Sequence, residues 1–472
     1  MPDKSEIIYK KIFDKIKFVV SDCDRTEVYV QYKNFNGYYE FCKISDKIFH
    51  AFIRESYRIS SKEDSVADYG YILERYIDKA LLNPEVVTIL SRIGGNADET
   101  AYFLANKSNT IIKVNKDDIK RVKRANNYYF YKKTSLIPQV NYKFREKSLL
   151  DELKPFLNMD EDMQILFTTM LVQNFLCTSS HFLGIISSQQ GSGKTTFTNM
   201  IRCLIDPSIA SVTTIPDNAD ALKTQLANNY VVCYDNTKTL THEFSDILCG
   251  AVTGSASSKR KLYSNNDEVI IKFHNAIFIN GIDVVPKQSD LLERSILLKL
   301  NTIPLSKRKS EGTIKQNFES ARPYIFGAIL TTLQGYYQNK DTTDVVGNHR
   351  MAGAYKECYI IADFLGVADK FVEAFNRNQK LLLDTYSDTN SVISAVISFM
   401  KFKGEKIVRG SVQSLYNDIK SCADINAFPK SASAFSRELN IQSTTLYQLG
   451  YSVSFNKKHC FTLLTITERE RK

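Results

Sequence analysis

A chain of 472 residues is longer than one hydrophobic core organises and points to about three domains. Its 43% hydrophobic and 24% charged content exclude a disordered or fibrous chain, and a net charge of +10 favours a polyanionic partner such as nucleic acid. The nine cysteines are scattered with no C-x-x-C pair, which excludes a disulfide framework or a zinc site and suits a reduced, cytoplasmic protein. The N-terminus lacks the apolar stretch of a signal peptide. The most apolar window, Met163 to Leu176, is broken by Thr168, Thr169 and Gln173, so no membrane partner is expected.

Residues 1–146 read as a mixed α+β unit. Val28 to Tyr32 and Tyr38 to Phe41 flank the turn sequence Asn34-Phe35-Asn36-Gly37, which predicts a hairpin, and Ala101 to Leu104 and Thr110 to Val114 read as further strands. The run Lys120-Arg121-Val122-Lys123-Arg124 precedes Tyr128-Tyr129-Phe130-Tyr131. Cations beside rings suit a single-stranded nucleic-acid surface, although ordinary strand aromatics beside a solvated edge give the same pattern. Asp22 and Asp24 could serve as paired metal ligands, but no suitably placed histidine follows and a turn fits them better. Residues 147–180 read as a helical collar, with Leu149, Leu153, Phe156, Ile165, Leu166 and Met170 near helical spacing.

From 181 to 305 short apolar strands alternate with helices, the pattern of an α/β unit with a largely parallel sheet. Phe182 to Ile186 runs into Ser188-Gln189-Gln190-Gly191-Ser192-Gly193-Lys194-Thr195-Thr196. Phe197, Met200, Ile201 and Leu204 then mark one helical face. A strand, a glycine turn and a helix form a P-loop. Its backbone N–H groups and helix N-terminus face phosphate, Gly191 and Gly193 let the backbone curl closely, Lys194 neutralises the β- and γ-phosphates, and Thr195 offers a hydroxyl to Mg2+. ATP and Mg2+ are therefore the expected cofactors. Ser188 stands where the usual pattern begins with glycine.

A second magnesium-holding group is expected at the end of a neighbouring strand, and Asp235 ends Tyr230 to Tyr234. Its neighbour Asn236 is not a base. Either Asn236 positions water by hydrogen bonding or the base comes from elsewhere in the chain. Asn280, at the tip of Ala276 to Ile279, could position water and sense hydrolysis, or form an Asn-Gly turn with Gly281. Arg294, just before Ile296 to Leu300, could reach the γ-phosphate of an adjoining subunit, or pair with Glu293 or Asp290. Between these, Phe244, Ile247, Leu248 and Ala251 make a helix face ended by Gly254. The basic run Lys259-Arg260-Lys261 opens a predicted hairpin with a polar turn at 264–267.

These elements together resemble the superfamily III helicases of the AAA+ class, over roughly residues 181–300. The stretch Asp246 to Leu300 looks most like replication proteins of phages and staphylococcal pathogenicity islands. The resemblance implies a replication initiator that assembles as a hexameric ring and unwinds duplex DNA 3′ to 5′, with Lys259, Arg260 and Lys261 on a DNA-gripping hairpin. The pair Asp235-Asn236 departs from the acidic pair common across the wider superfamily.

Residues 306–390 read as a helical lid or connector. Residues 391–472 carry 12 Lys and Arg against 6 Asp and Glu, more than half of the net charge. They read as a winged helix. Helices over Val392 to Met400 and Ser411 to Ile419 precede a third from Lys430, with Phe435 and Leu439 inward and Ser433, Ser436, Arg437 and Asn440 outward. A two-stranded wing follows, with Lys457 and Lys458 at its turn. The fold expected is thus an AAA+ P-loop core with an N-terminal α+β domain, a helical collar and a C-terminal winged helix. The expected function is an ATP-dependent helicase-initiator. A primase-helicase and an ATP-switched DNA-binding regulator are the alternatives.

Overall fold

A computed structural model describes residues 3–125, 127–237, 240–260, 268–281, 288–424, 427–457 and 462–469, with backbone alone at 257–260, 268–269, 271 and 307. Lys261 and Lys458 lie outside the described residues.

In the N-terminal unit, strands Tyr39–Lys43, Val28–Lys33 and Lys17–Ser21 pair antiparallel, and Val86–Val87 joins the last in parallel. The hairpin turn forms as its sequence suggests: Asn34 Oδ1 accepts from the Asn36 and Tyr38 N–H groups, and Gly37 takes φ +80°. Helices Lys4–Phe13, Lys47–Ser61 and Gly70–Leu82 enclose an aromatic core around Tyr9, Phe13, Phe49 and Tyr57. A second antiparallel sheet runs Ile93–Gly95, Glu99–Phe103, Ile111–Asn115, Ile119–Val122.

The centre of the chain is a four-stranded, all-parallel sheet. Its order is Val231–Tyr234, Ala276–Gly281, Leu183–Ser187, Ser295–Lys299. Every strand is almost wholly buried, because helices cover both faces and no polar alternation is needed. The helix Lys194–Ile205 buries Phe197, Met200, Ile201 and Leu204, the stripe expected from sequence. Helix His242–Thr253 stops at Gly254, whose φ of +81° a side chain would resist. Strands Ala256–Arg260 and Glu268–Lys272 pair antiparallel; the rest of the predicted first arm and the predicted turn at 264–267 lie outside the described residues.

The collar and connector segments share a single apolar core. Helix Glu161–Gln173 packs with Glu311–Asn339, Ala352–Phe364 and Ala368–Thr389. Their core is continuous with that of the parallel sheet through Ile186, Phe197 and Phe278. The last unit has helices Ser391–Lys403, Val412–Lys420, Ala432–Ile441 and Ser443–Gln448. Its sheet has a strand more than the predicted wing: Ile407–Ser411 pairs with Thr462–Glu468, which pairs with Tyr451–Lys457. No described helix is long and apolar enough to cross a membrane.

A buried ion pair ties the N-terminal unit to the end of the helix Lys194–Ile205. Arg92 Nε donates to Asp206 Oδ1 at 2.8 Å, and its other nitrogens donate to the carbonyls of Phe103, Ile137 and Pro207. Asp206 also meets Arg202 at 3.4 Å, and all three side chains are at most 2% exposed. Asp206→Asn strips the counter-charge from two buried guanidiniums. Urea unfolding should show a loss of about 3–5 kcal/mol; a loss under about 1 kcal/mol would refute the pair's structural role.

Candidate functional site

The parallel register fixes which residues meet. Ile186 lies beside Asn280, Ser187 beside Gly281 and Tyr234 beside Ile279, so the loop after Ser187, Asp235 and the Asn280 tip share one rim. Carboxyl ends of parallel strands are where open α/β sheets bind ligands. The Asn280 strand lies between the loop strand and the Asp235 strand, which sets its amide between them.

The loop is held open by backbone conformation. Gly191 and Gly193 take φ of +77° and +84°, and Gly193 caps the helix Lys194–Ile205. Ser188 and Ser192, both buried, hydrogen-bond through their hydroxyls, and Ser192 also donates to the Gln189 carbonyl at 3.0 Å. Ser188 thus contributes a hydroxyl brace where glycine would contribute none. Lys194 Nζ folds over the loop onto the carbonyls of Ser188 at 2.7 Å and Gln189 at 3.1 Å. Burial lowers the pKa of this ammonium below its ordinary value, against the pull of Asp235. Gln190, Thr196 and the glycines line the same hollow of about 470 Å3 together with Asp235, Asn236 and Asn280.

Thr195 Oγ1 donates to Asp235 Oδ2 at 3.0 Å. A hydroxyl and a carboxylate side by side are hard oxygen donors of the kind Mg2+ takes alongside phosphate oxygens and water. Asn280 is fully buried and works in both directions: Oδ1 accepts the Asn236 N–H at 3.0 Å, and Nδ2 donates to Thr198 Oγ1 at 3.0 Å. Its own carbonyl accepts the Thr237 N–H at 2.9 Å. Asn236 has φ +54° and is exposed at the rim.

Arg294 is not part of this cluster. Its carbonyl accepts from Leu183 N–H, at the opposite, amino end of the sheet. Its guanidinium binds Asp290 at 3.1 and 3.3 Å, one of the two acidic partners its sequence offers, and Arg350 holds both Asp290 and Glu293. Burial presses the Asp290 pKa upward, but Arg294, Cys249 and Arg350 outweigh it and hold the carboxyl below its usual range.

One residue at the rim escaped the sequence reading. The Arg308 guanidinium lies against Gly191 so closely that a Cβ there would collide with it, and Arg308 Nε donates to the Ile303 carbonyl at 3.3 Å. The available signal was the basic run Lys307-Arg308-Lys309 in the segment after the last core strand, Ser295–Lys299.

Away from the rim, Asp22 accepts from Thr88 at 2.8 Å and from Lys272 at 2.6 Å, while Asp24 caps its own turn through Thr26. Among the described residues no group of three His, Cys, Asp or Glu could hold a metal. Tyr128, Tyr129 and Phe130 are buried, so these rings pack the N-terminal core rather than face a strand of nucleic acid. Of the hairpin residues Lys259 and Arg260, the backbone alone is described. In the C-terminal unit Phe435 and Leu439 are fully buried. Ser433, Arg437 and Asn440 are exposed, Ser436 is half-buried, and Lys457 is exposed at the end of its strand.

Residues 157–372, a little under half of the chain, match the profile of a family described as actinomycete integrative conjugative element replication proteins. No curated protein matches. Among solved structures, the chain is similar to the apo C-terminal region of NrS-1 in its A form, at 14% identity and a TM-score of 0.42 over 99% of this chain and 100% of that one. A further apo structure of that region aligns over the same shares at 12% identity and a TM-score of 0.43. A JCV helicase bound to a thiazolopyridine compound covers 45% of this chain and 56% of its own, at 15% identity and a TM-score of 0.24.

The left-handed backbone of Asn236 yields a test of the rim's strain. Asn236→Gly should leave stability unchanged, whereas Asn236→Val should cost about 1–2 kcal/mol in denaturant unfolding. Equal stability of the two variants would remove strain from the account.

Proposed function

We propose that the chain is an ATP-dependent DNA helicase of the AAA+ type that initiates replication as a hexameric ring. The observation that carries this reading is the convergence of Lys194, Thr195, Asp235 and Asn280 on one rim of a parallel sheet, with Thr195 and Asp235 in hydrogen-bond contact. Mg-ATP fits that rim. The loop N–H groups and Lys194 would take the phosphates, Thr195 and Asp235 would hold Mg2+, which would supply charge neutralisation for phosphoryl transfer, and Asn236 or Asn280 would orient the attacking water. Arg308 adds a cation in the same chain, over Gly191.

Arg294 precedes its strand at the amino end of the sheet, the end opposite its own chain's rim. In a closed ring it would complete the site of an adjoining protomer, leaving Asp290 for the γ-phosphate. The family similarity over 157–372 and the basic balance of the chain support DNA replication as the context. DNA would be gripped by Lys259, Arg260 and Lys261 on the hairpin. The C-terminal unit would act as a winged helix that reads an origin through Ser433, Ser436, Arg437 and Asn440, with Lys457 and Lys458 on phosphate. The exposure of Ser433, Arg437 and Asn440 beside buried Phe435 and Leu439 supports that division of faces. Such a protein would work in the cytoplasm.

ATP hydrolysis and displacement of a labelled strand test the reading together. Lys194→Ala should abolish both. Arg294→Ala should cut hydrolysis by about 10^3 or more while nucleotide still binds. Wild-type protein that hydrolyses no ATP in the presence of forked DNA would end the motor reading, and full activity in Arg294→Ala would end the role in trans. Arg437→Ala should weaken origin binding by about 1–3 kcal/mol without changing ATP hydrolysis off DNA; unchanged origin affinity would remove the recognition role.

A further inference from the structure

A second hollow, of about 540 Å3, lies between the N-terminal unit and the open edge of the parallel sheet. It shares no lining residue with the loop site. Three cations line it, Lys43, Lys133 and Arg202, and among the described residues no carboxylate does. Lys43 is engaged by Glu27 and Arg202 by Asp206. Lys133 has no ion pair among the described residues. Its ammonium donates to the Asn228 carbonyl at 2.8 Å and side chain at 3.2 Å, and burial lowers its pKa to about 8.

Two further donors meet this wall unsatisfied or half-used. Arg202 is 2% exposed; its Nη2 donates to Asn229 Oδ1 at 3.1 Å, and among the described residues its Nε has no hydrogen-bond partner. On the edge strand, Thr213 N–H donates to the Cys233 carbonyl and Asp235 N–H to the Thr213 carbonyl. Backbone alternation then leaves the Cys233 N–H pointing out along that same edge. Thr134, Ser211 and Thr213 add hydroxyl-bearing side chains to the lining. Cations, hydroxyls and a main-chain N–H around a half-buried pocket are the donor set of a phosphate oxyanion, with lysine as the point charge.

We propose that this hollow is a second phosphate site, separate from the loop at 188–196, for the phosphodiester of a nucleic-acid strand or the phosphate of a free nucleotide. A bound oxyanion supplies the counter-charge for Lys133 and an acceptor for the Arg202 Nε, and so offsets part of their desolvation. The competing structural role is plain: Lys133 at the carbonyl end of helix Ala219–Asn228 is favourably placed by the helix dipole.

The test uses the full chain carrying Lys194→Ala, which disables the loop site. Inorganic pyrophosphate is titrated by calorimetry, and a fluorescent oligothymidylate by anisotropy. At least one probe should bind. Lys133→Gln and Ala210→Glu, the latter on the exposed rim, should each weaken that binding about tenfold or more, with the melting temperature of Ala210→Glu unchanged. Loss confined to pyrophosphate assigns a free nucleotide phosphate, and loss confined to the oligothymidylate assigns a strand. The proposal is overturned if neither probe binds, or if both variants bind as tightly as the parent. A Lys133→Gln protein that melts earlier yet binds normally, with Ala210→Glu also normal, assigns Lys133 to capping the helix.

Discussion

Nearly everything at the rim hangs on the pairing of three parallel strands, with Leu183–Ser187 beside Ala276–Gly281 and Ala276–Gly281 beside Val231–Tyr234. In a parallel sheet all carboxyl ends fall on one side, so residues far apart in sequence become neighbours without any loop having to carry them there. Register decides the rest. A slip of one residue would turn the Asn280 amide away from Asn236 and Thr198, leaving a buried amide without its two hydrogen bonds. Burying such a group unsatisfied costs more than its bonds return, so Asn280 both reads the register and enforces it.

The rim is also polar where the sheet is not. Lys194 folds onto the loop's own carbonyls, Thr195 leans on Asp235, and Ser188 clasps Ser192. These bonds satisfy the rim's polar groups among themselves, so a charged ligand entering the hollow would exchange them rather than add to them.

What could be read from sequence was what is contiguous. The loop at 188–196, the helix face of Phe197, Met200, Ile201 and Leu204, and the apolar strands leading to Asp235 and Asn280 depend on local order; the strands are Val231–Tyr234 and Ala276–Gly281, so Asn280 lies inside its strand rather than just past it. What escaped was contact across sequence. Arg308 reaches Gly191 from beyond the last strand, and no periodicity announces it. Arg92 and Asp206 are joined only by the fold. The rings Tyr128, Tyr129 and Phe130 illustrate a different gap: an aromatic beside lysines has the same letter whether it faces water or core, and here it faces core. The extra strand Ile407–Ser411 was hidden because part of it reads equally well as the start of the following helix.

The helix Glu311–Asn339 joins two distant places. It begins beside Arg308, capped by Ser310, and its last turns meet the second N-terminal sheet through Tyr337 with Thr100, Gln338 with Lys116 and Lys340 with Asp98. At 29 residues it is a rod roughly 44 Å long. Each degree of tilt at its base therefore carries its far tip roughly 0.8 Å sideways. Pro323 contributes no N–H to the ladder, so any flexing of the rod concentrates there, and the sheet at the far end follows the upper segment.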